Sequence, residues 1–279
     1  MSGPDDLPRH LIERLGAAAA EELTGGHQAR VFLMTSASGA RTIAKLLDAQ
    51  AFDLSAVETL VQVVAQLADI DPQVCRPIPH AGRLVTRLDV EPPSLLTCYE
   101  FADGVALDPT VPEDAAEMGR ALARLHKSMR ALPAADLPVV AALRGEADDE
   151  GAYQLLHGDF GAGNLRRQDG RIRIFDFDDC GRGPVAFEVA NALYMVMFDA
   201  ITGQRPETYP TFARAFLAGY DEVSGAALSD EVVQGYIHRR VAALSRWLDD
   251  LPTAPIGIRN ASPEWHAVLR AFVRDVDKR

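Results

Sequence analysis

Residues Gln154–Glu188 read QLLHGDFGAGNLRRQDGRIRIFDFDDCGRGPVAFE, and the fold of the chain is read outward from them. Tyr153–Leu156 is a short apolar strand. Leu165–Arg167 and Arg171–Phe175 are two more, flanking a Gln-Asp-Gly turn, and Asp-Gly between alternating runs is a strong hairpin signal. With Asp169 and Gly170 as a two-residue loop, Gln168 faces Arg171 and Asn164 faces Phe175. Asn164 and Asp176 then share the open mouth of the hairpin, within a cross-strand reach of ~5–8 Å. An amide oxygen and a carboxylate brought together there make a hard-oxygen site of the kind Mg2+ takes.

Asp159 lies five residues before Asn164, on the loop that follows the 153–156 strand. The order is therefore H-x-D-x4-N, a strand hairpin, then D-F-x. This is the skeleton of a kinase active site: one Asp to receive a hydroxyl proton, an Asn for one metal, and a second Asp for both metals. Phosphoryl transfer needs these types because the protein's work is positioning and neutralising charge. A metal hydrolase using the same carboxylates is the competing reading of the residues alone.

His157-Gly158-Asp159-x4-Asn164 followed by Phe175-Asp176-Phe177-Asp178 resembles the aminoglycoside phosphotransferase/choline kinase family, small-molecule kinases on a protein-kinase-like fold. The resemblance implies an α+β, two-lobed architecture: an N-terminal nucleotide-binding lobe over 1–98, a hinge at 99–104, and a helical lobe over 105–279 holding the catalytic hairpin 153–179. It implies Asp159 as catalytic base, Asn164 and Asp176 as Mg2+ ligands, and His157 as a brace of the catalytic loop. Asp178 stands where protein kinases place the Gly of D-F-G, so it either ligates the second metal or faces substrate, with Asp179 as a further substrate contact. Glu188 replaces an Asp common in the family and is expected to brace the loop; the competing reading is an acid favoured by a helix N-terminus. His126, in Leu125-His126-Lys127, reads as a satisfied structural histidine, and Cys180 as a buried inert thiol.

The upstream half is read for the nucleotide. Residues 29–35 and 41–47 look like strands joined by a polar turn, Asp53–Ala68 like a helix, and Arg83–Leu88 and Leu95–Phe101 like two more strands. A kinase holds the donor's phosphates with a Lys on its third strand. Lys45 lies on the second strand of the first hairpin and is one of only three lysines among the 28 basic residues. Glu58 is its candidate partner, but Ser55-x-x-Glu58 also reads as a capping box, and the two roles compete for one side chain. Thr24–Arg30 resembles the family's short Gly-containing loop without matching G-x-G-x-x-G. Residues 99–104 resemble the inter-lobe hinge, where backbone groups of Glu100 and Phe101 would hold the base of ATP or GTP.

Helical periodicity follows over Glu113–Met129 and near 186–200, 209–223, 230–250 and 263–276. The formal charge is −12, spread evenly between the two halves. It argues against nucleic acid and anionic membranes as partners, and it leaves a small cationic hydroxyl compound easy to accommodate. Acids such as Asp199, Glu222, Asp249 and Asp250 are candidates to meet that cation. Three separated cysteines point to reduced thiols, and the absence of an apolar signal core near the N-terminus points to a cytoplasmic protein. A monomer or weak homodimer is expected. Family and charge together point to inactivation of a cationic antibiotic, an aminoglycoside or a basic cyclic peptide such as capreomycin or viomycin. The alternatives are a metabolic kinase for homoserine or choline, a stress-type protein kinase, or a catalytically silent nucleotide-binding module.

Overall fold

The computed structural model describes residues 7–24, 28–133, 137–144, 153–225 and 227–276. Two compact units divide between Asp103 and Gly104.

The first unit is a five-stranded antiparallel sheet with one helix on each face. Its elements are α1 (Leu7–Leu15), β1 (Ala19–Leu23), β2 (Ala29–Thr35), β3 (Arg41–Asp48), α2 (Leu54–Ile70), β4 (Val85–Leu88) and β5 (Ser94–Glu100), in the sheet order β1-β2-β3-β5-β4. The period-2 alternation of the strands sorts their side chains to two cores. Phe32, Met34, Ala44, Leu46, Leu96 and Cys98 meet Leu11 of α1 on one face, while Leu47, Val85 and Leu95 meet Val57 and Val61 of α2 on the other. Two elements were not read from the sequence. β1 is Ala-Ala-Glu-Glu-Leu, an edge strand with no fully buried residue and a composition poor in strand formers, and α1 buries only Leu11 completely.

The second unit is mostly helical. It comprises α3 (Pro112–Arg130), β6 (Gln154–Leu156), β7 (Leu165–Gln168), β8 (Arg171–Ile174), β9 (Gly181–Gly183), α4 (Val185–Thr202), α5 (Thr208–Ser224), α6 (Asp230–Asp249), the single turn α7 (Ile256–Arg259) and α8 (Pro263–Val276). α4 is long and apolar enough by composition to cross a membrane, but 67% of it is buried inside the fold, where it packs against α5, α6 and α8. α3 and α5 approach until their backbones touch: a Cβ added at Gly119 would lie 2.0 Å from the Phe216 carbonyl oxygen, and one at Gly219 2.0 Å from that of Ala116.

The β7–β8 hairpin has the register the sequence dictates, Gln168 opposite Arg171 and Leu165 opposite Ile174. Asp169 and Gly170 turn it with φ of 50° and 71°, the positive angles a two-residue turn matched to strand twist requires. Arg167 ties this hairpin to α3 by ion pairs with Asp114 (2.5 Å) and Glu117. Residue 105 adds a bridge on its other edge, Val105 N–H to the Arg167 carbonyl at 3.1 Å and the reverse bond at 2.8 Å. Three-residue β9, Gly-Arg-Gly, pairs with β6; nothing in its composition signals a strand, and its glycines are needed because Val140, Pro138 and Leu156 crowd the backbone.

Candidate active site

The loop between β6 and β7 carries His157, Gly158, Asp159 and Asn164. The pairing of the hairpin extends one step past its strands, with the Phe175 N–H donating to the Asn164 carbonyl at 3.1 Å. Asn164 is therefore paired with Phe175, and Asp176 is the next residue beyond that pair at the hairpin mouth. Asp176 has φ of 68°, an uncommon left-handed setting for a side chain with a Cβ, and such settings concentrate where a side chain must be aimed.

Asn164 also ties down the aspartate five residues before it. Its Nδ2 donates to the Asp159 main-chain oxygen at 2.8 Å and to Asp159 Oδ2 at 3.1 Å. Both amide hydrogens are thus spent on Asp159, which leaves the amide oxygen, a hard ligand, turned the other way.

His157 is wholly buried, against the rings of Phe160 and Phe177. Its Nε2 lies 3.0 Å from the Phe175 carbonyl, and its Nδ1 accepts the Asp159 N–H at 3.3 Å. A carbonyl only accepts and an amide N–H only donates, so the ring is the neutral tautomer with its proton on Nε2. One imidazole thereby joins the hairpin to the backbone of Asp159.

Glu188, in the first turn of α4, is 1% exposed. It accepts the His157 N–H on Oε2 at 3.0 Å and the Gly158 N–H on Oε1 at 2.6 Å. Its Oε2 also meets His126 Nε2 at 2.8 Å, and His126 Nδ1 lies 2.9 Å from the Tyr220 hydroxyl. Burial alone raises the Glu188 pKa, but the His126 hydrogen bond and charge, with the Gly158 amide, outweigh it and hold the carboxyl below its ordinary value. His126 is the buried, bonded histidine the sequence suggests. The helix-dipole reading of Glu188 describes its place but not its work.

Gly158 has φ of 88°, and a Cβ there would strike the Asp179 carbonyl at 2.0 Å. The 176–180 segment therefore lies directly on the 157–164 loop, closed by the Cys180 N–H to the Phe177 carbonyl at 2.9 Å. Asp178 is half-buried in this segment and Asp179 is exposed. Burial pushes the Cys180 thiol strongly up, so it is inert. Of the helical acids, Glu222 pairs with Arg120 and Asp249 with Arg270, each at 3.3 Å, and burial raises Asp199 against the pull of Arg205.

In the first unit Lys45 is buried in the middle of β3, opposite Thr97 of β5, with its ammonium 5.7 Å from the Tyr99 ring. The structure does not bring Glu58 to it: Glu58 sits on the exposed side of α2. Nor is Ser55 the cap. The N-cap is Asp53, whose carboxylate accepts the Ala56 N–H at 3.0 Å and the Ser55 hydroxyl at 2.7 Å. The helix begins at Leu54, so Ser55 already lies inside it, and Asp53 two residues earlier stands where a side-chain oxygen can take a free amide of the first turn. Tyr99 and Glu100 complete β5, with the Glu100 N–H given to the Arg76 carbonyl at 2.9 Å. The Phe101 ring lies 4.7 Å from the Arg41 guanidinium, which also pairs with Asp103. Of the glycine loop at 24–30, residues 25–27 lie outside the described residues.

The described residues contain no group of three or more His, Cys, Asp or Glu suited to a metal. Asn164 and Asp176 offer one amide oxygen and one carboxylate. That donor set fits Mg2+, which is commonly held by one or two carboxylates together with substrate phosphates rather than by an all-protein cage.

Residues 130–226 match the model of the phosphotransferase enzyme family, a span containing the whole constellation around Asp159. No curated protein matches the chain. An amicoumacin kinase solved with AMP-PNP, Ca2+ and Ami is similar over 100% of this chain and 94% of its own, with a TM-score of 0.73 and 18% identity. An aminoglycoside phosphotransferase from Alicyclobacillus acidocaldarius is similar over 97% and 95%, at 0.63 and 14%. A thermostable mutant of aminoglycoside phosphotransferase APH(4)-Ia, in ternary complex with ADP and hygromycin B, is similar over 96% and 98%, at 0.58 and 14%. Residues 130–226 thus resemble the phosphotransferase enzyme family, and the fold of the chain is similar to that of these kinase structures.

Proposed function

We propose that the protein transfers the γ-phosphoryl group of ATP or GTP to a hydroxyl of a small cationic compound, and that the compound is an antibiotic. The observation that carries this reading is the tether between Asn164 and Asp159. With Oδ2 held by the Asn164 amide, Asp159 keeps Oδ1 to accept the hydrogen of an incoming hydroxyl, aim its lone pair and take its proton as the phosphorus–oxygen bond forms. Asn164, Asp176 and, beside them, Asp178 would hold Mg2+, which when bound neutralises the phosphate oxygens. Lys45 would steady the donor's phosphates as a compact charge on a rigid strand. Backbone groups of Glu100 and Phe101 would meet the base, and Asp179 the substrate.

The antibiotic assignment is supported by the fold neighbours, one a kinase of amicoumacin and others aminoglycoside phosphotransferases, and by the acidic balance of the chain. The test is nucleotide consumption against a panel of aminoglycosides, basic peptide antibiotics, choline, homoserine and a generic protein substrate. Turnover with antibiotics alone supports the reading; turnover only with choline, homoserine or protein rejects the antibiotic assignment. Asp159→Asn is expected to lower kcat by about 10²–10⁴-fold with the KM for nucleotide little changed, since a general base acts in the transition state. Full activity in that variant would reject the mechanism.

A further inference from the structure

Gly158 is the residue through which the loop turns into Asp159. It has no Cβ, a φ of 88°, and it leads directly into Asp159. Glu188 fixes the peptide before it by taking its N–H. The peptide after it, whose carbonyl belongs to Gly158 and whose N–H belongs to Asp159, sets the direction in which the aspartate leaves the backbone. That plane is held at its N–H by His157 Nδ1 at 3.3 Å and at its carbonyl by Asn191 Nδ2 at 3.4 Å.

Asn191 is 4% exposed and lies one turn after Glu188 on the same face of α4. An amide can present either its NH2 or its oxygen to a neighbour, and an oxygen turned to the Gly158 carbonyl would repel it. Arg240 of α6 removes the ambiguity. Its Nε donates to Asn191 Oδ1 at 3.0 Å, so the oxygen must face Arg240 and the NH2 must face the loop. The guanidinium is fixed in turn by Tyr194, one turn after Asn191, at 4.6 Å from the ring centroid, and by Trp247 at 5.3 Å. It pairs with no carboxylate among the described residues, and its Nη1 is buried without a partner. A guanidinium kept half-dry, with one hydrogen bond and one orphaned nitrogen, is poorly accounted for by stability. It is well accounted for by the orientation it imposes on Asn191.

We propose that Asn191 and Arg240 are positioning residues for Asp159: Arg240 sets the sense of the Asn191 amide, and Asn191 locks the Gly158–Asp159 peptide plane that aims the base. The catalytic consequence rests on the reading of Asp159 as base; the mechanical one does not.

Asn191→Asp separates the two links. It still accepts from Arg240, now as an ion pair, but turns an oxygen to the Gly158 carbonyl. The expected result is an unfolding midpoint at or above wild type, with amide hydrogen exchange at residues 157–160 clearly faster. Mg2+-ATP hydrolysis with water as acceptor should lose kcat by about 10- to 100-fold, the scale of a misaimed group, while KM for ATP stays within about twofold. Arg240→Met should give the same signature, and adding Asn191→Ala to it should bring little further loss, because the two act in series. Wild-type loop exchange in Asn191→Asp would overturn the proposal, as would losses in kcat that simply follow a falling midpoint. If the wild-type enzyme turns over ATP with neither water nor any acceptor, the kinase reading fails while loop exchange still decides the clamp.

Discussion

Glu188 shows how one residue couples charge to architecture. Its carboxylate receives two loop amides and one imidazole, so it must be ionised to hold all three. Its folded pKa lies below the unfolded value of about 4.3, so folding is favoured by its ionisation. That stabilisation is fully present above the unfolded pKa and is lost as pH falls through the folded pKa. Denaturant unfolding at pH 7 and pH 3.5 is therefore expected to show a loss of stability on the acid side. Glu188→Gln should weaken the protein by about 3–5 kcal/mol at pH 7, the usual effect of breaking a buried pair, and should flatten the acid slope. An unchanged slope in that variant would show that other carboxylates carry the acid sensitivity. His126 and Tyr220 were readable in the sequence as residues but not as partners of this group. They lie 62 and 32 positions from Glu188, and only the packing of α3 and α5 beside α4 brings them to it.

Helix contact in the second unit depends on two glycines that the hydrophobic pattern does not mark. Gly119 of α3 and Gly219 of α5 each face a main-chain carbonyl where a methyl group would lie 2.0 Å from oxygen. Gly219→Ala forces the helices apart, and is expected to lower stability by roughly 1–3 kcal/mol or more despite the better helix propensity of Ala. Gly235 is the control. It lies within α6 with nothing within 4 Å, so Gly235→Ala should raise stability by roughly 0.5–1 kcal/mol. Parallel thermal melts distinguish the two, and a stabilised Gly219→Ala would mean that the contact yields without strain. The contrast also shows what kind of element was legible. The β7–β8 register followed from the Asp-Gly turn, and α2, α3, α4, α5, α6 and α8 from their apolar periodicity, because those signals are local. β1, β9 and α1 owe their form to neighbours: β1 to pairing with β2, β9 to pairing with β6, and α1 to a single side chain, Leu11, entering the sheet's core. The same limit applied to the start of α2, where Ser55 and Glu58 have the spacing of a capping box but the helix begins at Leu54 and is capped by Asp53.

Across the whole molecule, an excess of twelve negative charges stands against a nucleotide donor that is itself anionic. In the proposed reaction Asp159 and Asp176, with Asp178, would serve the proton and the metal, so they would not be available to recognise a cation once Mg2+ is bound. Glu222 and Asp249 are engaged with arginines. Beyond single acids such as Asp179, Asp199 and Asp250, the excess charge makes a diffuse negative field, which attracts a polycationic acceptor and repels free nucleotide alike. The two substrates should therefore respond oppositely to salt. Screening shortens from about 10 Å at 0.1 M ionic strength to about 3 Å at 1 M. Raising NaCl from 25 to 300 mM at fixed Mg2+ is expected to raise the KM of a cationic acceptor several-fold while the KM for Mg2+-ATP stays level or falls. The effect should be in KM rather than kcat, since the field acts on encounter and not on the aimed pair of Asp159 and hydroxyl. An acceptor KM that ignores salt would mean that recognition is by shape and hydrogen bonds, and would shift the acceptor from polycations to a neutral or zwitterionic hydroxyl compound.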